Sequence, residues 1–170
     1  MSGRLRERLR QRRAAEEGKE PAREPEGVLA TIAVHARMES RRNVGRGVGY
    51  WRVRVYEGGT CVAERRGAVR REESSGQALP YEATLAGAEA LVALLAARAI
   101  APERVRVAVH SPNRTFVAQL AGQERVRAPH LRALWQRTQD GLRPFGDRAF
   151  FWRRLDGSVR IAERPPRKKA

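Results

Sequence analysis

Between residues 48 and 69 the chain alternates, turns and alternates again, and no other stretch restricts its fold so much. Val48 to Tyr56 reads VGYWRVRVY, with Trp51, Val53 and Val55 set against Arg52, Arg54 and Tyr56. Alternation of this kind gives a strand one apolar and one polar face, so it is half-buried in a sheet. Glu57-Gly58-Gly59-Thr60 follows with the glycines that a tight hairpin needs. Cys61 to Val69 then returns as a third strand, counting Val28 to Met38 (VLATIAVHARM) as the first. That first strand is β-branched and largely apolar, which fits burial on both faces. The polar segments Glu39–Gly47 and Arg70–Gln77 read as loops.

The pattern changes after Gln77. Pro80 stands at a favourable first helical position, and a helix is expected from Pro80 to about Ala99. Tyr81, Leu85, Ala88, Val92 and Leu95 recur at steps of three and four and form its core-facing stripe. Pro102 breaks the pattern, and Val105 to His110 (VRVAVH) is again a strand. Ser111-Pro112 reads as an N-cap and first helical residue for a helix to Leu120. A further helix opens at Pro129 with Leu131, Leu134 and Trp135 on its apolar side. Arg148 to Leu155 is strand-like. Asp156-Gly157 is a turn signal from which Ser158 to Ala162 would pair back. The order β-β-β-α-β-α-α-β makes a mixed-sheet α/β domain.

The chain has 170 residues and a single cysteine, Cys61. One cysteine excludes an internal disulfide framework and a cysteine-based zinc site. Cys61 is expected to be a small buried residue. No run reaches the roughly 18 consecutive apolar residues of a membrane span, and the arginine-rich start shows no signal-peptide pattern. Thirty-five basic residues against nineteen acidic give a net charge of +16. Residues 1–27, read as a charged disordered tail and linker, carry +2, and the basic tail 163–170 carries +3, which leaves +11 on the domain at 28–162. A folded part this basic points to a polyanionic partner, nucleic acid first. The acids are sixteen Glu and three Asp, and no Asp precedes Asp140.

Four stretches, in order, resemble the ribonuclease H-like family, particularly its bacterial and reverse-transcriptase-like members. GRGVGYWRVRVYEGGTCVAE is similar to the family's Gly-rich first hairpin, and YEATLAGAEALVALLA to its first helix. VRVAVHSPNRTFVAQLAG resembles the fourth strand and following helix, and VRAPHLRALW a later helix start. The resemblance implies a mixed five-stranded sheet: an antiparallel meander, then helix-linked parallel strands, with helices on its faces. An extra C-terminal hairpin is expected around Asp156-Gly157.

It also implies a site of four carboxylates holding two Mg²⁺ ions about 4 Å apart. This chain departs from that pattern. His35 stands at the position of the first carboxylate, Pro80 at the second and His110 at the third, and the hairpin replaces the helix that carries the fourth. Glu82 does not replace Pro80, because two helical residues rotate a side chain by about 200°. The reading is therefore a domain without catalysis, with no cofactor. Mg²⁺ or Mn²⁺ enters only if the site proves active.

Several roles stay open for His35 and His110. They are tolerated replacements, imidazoles binding phosphate, ligands of a transition metal, or an acid–base pair acting on RNA. Arg52, Arg54, Arg65, Arg66, Arg70 and Arg71 flank the meander and are candidates for a phosphate-tracking face, joined by His35, His110, Asn113 and Arg114. Trp51, Trp135 and Trp152 either stack bases or fill core. The expected function is a cytoplasmic, non-membrane domain that grips the backbone of an RNA/DNA hybrid, double-stranded RNA or DNA without cutting it. The alternatives are an active ribonuclease H with an atypical site and a basic subunit that binds a nucleoprotein partner.

Overall fold

The computed structural model describes residues 27–153. The terminal tails and the expected Asp156-Gly157 hairpin lie outside the described residues. Five strands form one sheet in the order β3-β2-β1-β4-β5. The strands are β1 (Val28–Met38), β2 (Val44–Glu57), β3 (Thr60–Ser75), β4 (Val105–Ser111) and β5 (Asp147–Trp152). The helices are α1 (Leu79–Ala97), α2 (Arg114–Leu120) and α3 (Pro129–Leu142). β1, β2 and β3 pair antiparallel, whereas β4 lies parallel to both β1 and β5.

The hairpin forms where its glycines stand. Gly58 and Gly59 take φ of 55° and 78°, a conformation that side chains disfavour and that matches the twist of flanking strands. The meander is longer than its sequence pattern indicates. β2 starts at Val44 and β3 runs to Ser75, so Arg70 and Arg71 belong to a strand rather than a loop. Their ladder partners are Val48 and Gly47. Pairing across the sheet draws in polar residues that show no apolar alternation of their own.

α1 begins close to the expected position, with Pro80 in its first turn, but its buried face is rotated from the expected stripe. Leu79, Tyr81, Ala83, Thr84, Ala88, Leu91 and Leu95 are buried, whereas Leu85 is half-buried and Val92 exposed. Small residues let the helix approach the sheet. A Cβ on Gly87 would stand 2.8 Å from the Ile32 side chain. α1 is apolar and long enough by composition to cross a membrane, and here that apolarity lies against the sheet. α2 begins at Arg114 rather than Pro112. Its cap is Asn113, whose side chain accepts from the Phe116 N–H at 3.0 Å, while Ser111 ends β4.

The core joins Ile32, Val34, Val53 and Val107 of the sheet to Tyr81 and Leu91 of α1, Phe116 of α2 and Leu131 of α3. It lies on one side of the sheet. The mixed five-stranded sheet with helices is as expected, but among the described residues the helices lie on one side, so β1 is not buried on both faces. Ala30, Ile32 and Val34 are covered, but Leu29 on the other side is 44% exposed and His35 is exposed. Cys61, expected to be buried, is also exposed, because it stands beside the hairpin turn on the edge strand, opposite Tyr56 in a row of the face away from the helices.

Candidate functional site

Strand register places the histidines. Ala33, not His35, lies opposite His110. His35 sits two residues further along β1, opposite Tyr50 of β2. Both rings belong to the face away from the helices, but they are displaced by about 6.6 Å along the strands and one strand spacing across them. Zinc needs nitrogen ligands at about 2.0–2.1 Å, so this register does not bring the pair onto one metal. Among the described residues no three of His, Cys, Asp and Glu gather into a metal-binding group.

The carboxylates nearest in sequence are engaged elsewhere. Glu82 Oε1 meets Arg71 Nε at 3.3 Å, and Glu39 pairs with Arg46 at 3.8 Å. Pro80 is buried in the first turn of α1, and its carbonyl accepts from Thr84 Oγ1 at 2.7 Å. Magnesium prefers oxygen ligands in octahedral geometry, and His35, Pro80 and His110 do not supply them.

Both imidazoles are held below the ordinary histidine value. For His35 the causes are desolvation and then Arg37; for His110 they are desolvation, then Arg153 and Arg52. At neutral pH the rings are therefore uncharged. They offer hydrogen bonds and a π-face, and positive charge at this face comes from arginine. His110 also stacks on Phe151, with ring centroids 5.1 Å apart and planes 17° from parallel.

The six meander arginines do not share one face. Arg52, Arg54, Arg66 and Arg70 occupy the rows of the uncovered face, whereas Arg65 and Arg71 occupy rows of the helix side. Glu64 bridges two of them, Oε2 to Arg54 Nε at 2.6 Å and Oε1 to Arg66 Nε at 2.7 Å. These hydrogen bonds, Arg54 foremost, lower the Glu64 pKa, and the same bond raises that of Arg54. Arg52 lies between them in the sheet, is only 6% exposed and forms no salt bridge among the described residues.

Asn113 spends its side-chain oxygen on the α2 cap. Arg114 is exposed and lies 5.7 Å over the ring of Trp152. Trp152 is 52% exposed, and its indole N–H donates to the Pro112 carbonyl. Trp51 is core, and Trp135 is half-buried with its N–H on the Gln119 carbonyl. Two clefts on the helical side escaped sequence reasoning. One, of about 500 Å³, lies among Asn43, Ser75, Gln77, Asn113, Thr115 and His130. The other, of about 1200 Å³, lies between the 122–127 loop and α3, with Arg125, Arg127 and Trp135 in its walls. Gln119 lines both. Their residues come from segments far apart in the chain, and only the isolated arginines of 125–127 left a trace in sequence.

No family model matches the chain, and no curated protein matches it in sequence. Solved structures do match in three dimensions. The N-terminal RNase H domain of a Mycobacterium tuberculosis protein is 23% identical, with a TM-score of 0.55 over 74% of this chain and 81% of that one. RNase H1 from Halobacterium salinarum is 21% identical, with a TM-score of 0.56 over 72% and 83%. LC11-RNase H1, solved in complex with an RNA/DNA hybrid, is 18% identical, with a TM-score of 0.54 over 72% and 83%. At such identities the likeness establishes the fold, which is ribonuclease H-like.

Proposed function

We propose that this ribonuclease H-like domain binds nucleic acid through its phosphate backbone and does not cleave it. What supports the reading is that no three of His, Cys, Asp and Glu gather among the described residues, and that the resemblance sets His35, Pro80 and His110 where carboxylates are expected. With it goes a fold region of strongly positive charge. Two-metal hydrolysis needs carboxylates to hold the ions, whereas backbone binding needs only well-placed cations. Arg65 and Arg70 are exposed and make no ion pair among the described residues, so they can meet phosphate without first breaking a bridge. The clefts at Asn113 and at Arg125 add polar and basic surface on the helical side. LC11-RNase H1 was solved with an RNA/DNA hybrid, and a hybrid is the first partner to test here. Double-stranded RNA and DNA are the next.

Binding and cleavage of a hybrid should be measured on one preparation. The expected result is binding whose log K falls by about 0.9 for each phosphate neutralised on a B-form duplex as log salt rises. Hybrid incubated with Mg²⁺ or Mn²⁺ stays intact. Metal-dependent cleavage abolished by His35→Ala or His110→Ala would replace this reading with an active, atypical ribonuclease H. Absence of binding at low salt would remove it altogether.

A further inference from the structure

The uncovered face of the sheet holds an arginine with no ion-pair partner among the described residues. Arg52 is 6% exposed, and the nearest carboxylate, Glu64, already has one oxygen on Arg54 and the other on Arg66. The packed neighbours of Arg52 include Arg54 and Arg66, and a cation set among like charges favours an added anion. Desolvation and then the neighbouring Arg54 press its pKa downward, yet guanidinium stays charged at any working pH. An arginine in this state is a preformed seat for an anionic group.

The row in which Arg52 lies shows what kind of anion. Register aligns Arg66, Arg52, Ala33, His110 and Phe151 across all five strands. At a strand spacing of about 4.8 Å the row is roughly 19 Å long. It is basic at the β3 end and aromatic at the β5 end. Ala33, in the middle of the row, is 4% exposed. Phe151 is 40% exposed, lies alongside the His110 ring and has the Arg153 guanidinium 5.5 Å from its centroid. Four residues away along the strands, about 13 Å, the same face carries an apolar hollow of about 420 Å³ at Leu29, Thr31, Tyr56 and Arg106.

Cations at one end of a row and, at the other, a ring that is 40% exposed beside His110 and Arg153 fit a strand whose bases are free to stack. In a duplex the base faces are covered by their neighbours, so Phe151 and the hollow would find no partner. In a single strand they are open. We propose that this face, centred on Arg52, His110 and Phe151, is a binding platform for single-stranded nucleic acid. Arg52 takes a phosphate together with Arg66, whose Nε stays on Glu64 while the rest of its exposed guanidinium is free to turn to the ligand, and Phe151 takes a base beside the His110 ring. The inference rests on the nucleic-acid reading above and specifies its ligand and its surface.

The test uses the full chain, a short fluorescent single strand containing 2-aminopurine, and a hybrid of the same sequence. The single strand is expected to bind at low salt with quenching of the 2-aminopurine. Phe151→Ala, a change at an exposed side chain, should weaken it about 10- to 100-fold, the size of one lost base–aromatic stack. Phe151→Trp should restore it. The hybrid's affinity for Phe151→Ala should change less than about twofold, since backbone contacts remain. A hybrid that binds while the single strand does not would overturn the platform and leave the broader reading intact. Unchanged single-strand binding by Phe151→Ala would do the same. Failure of both ligands to bind would remove both readings. A monomer–dimer equilibrium lost in Phe151→Ala would assign the face to a second copy of the chain and also overturn the proposal.

Discussion

His35 and His110 show how one residue type at one position reports on its surroundings. Both have folded-state pKa values below the ordinary 6.5, so in acid the unfolded chain binds protons that the folded chain refuses. Their contribution to stability is therefore complete above about 6.5 and is lost as pH falls from there through the folded values. A thermal melt series between about pH 8 and pH 5 should show Tm falling on acidification. His35→Gln combined with His110→Gln should flatten that slope. Gly67 gives a second prediction at this scale. A Cβ there would run into the Trp51 ring, which is core and cannot swing aside. Gly67→Ala should cost about 1–3 kcal/mol by overpacking, read by denaturant unfolding, with a shift in tryptophan emission. The presence of Trp51 in the core follows from its alternation with Arg52. Its dependence on a glycine across the ladder does not, because nothing in either segment announces the other.

Among the elements, the turn at Gly58-Gly59, the helix at Pro80 and the strand at Val105 were legible because their signals are local: glycine at positive φ, proline in a first turn, β-branched alternation. Boundaries set by partners were not. β3 extends through Arg70 and Arg71 because β2 lies beside it. The buried stripe of α1 turns toward Leu91 and away from Val92 because Gly87 sets how the helix lies on Ile32. α2 starts two residues later than Ser111-Pro112 suggests, since Ser111 completes β4 and Asn113 does the capping. Asn113→Ala should therefore destabilise the protein by about 1 kcal/mol, while Asn113→Ser or Asn113→Asp should retain most of that stability. Equilibrium denaturation resolves differences of this size. A cap at Ser111 would instead make Asn113→Ala nearly silent.

For the whole molecule, charge and layering combine. A net charge of +16 opposes compaction by self-repulsion, so a polyanion that binds the folded state should stabilise it. A short inorganic polyphosphate at 100 times its Kd should add about 2.7 kcal/mol through mass action, seen as a rise in Tm that high salt removes. The sequence by itself determined the order of strands and helices and the excess of arginine. It also determined the absence of aspartate before residue 140. These are properties of single residues and of neighbours a few positions apart, which short-range periodicity and composition record. Only the tertiary structure decided that His35 and His110 are offset by two residues, that Glu64 is shared by Arg54 and Arg66, and that the face carrying Arg52 and Phe151 lies opposite the helices. Each of those depends on register and layer packing between segments distant in the chain, where an apolar or charged side chain has several possible partners and the fold selects one.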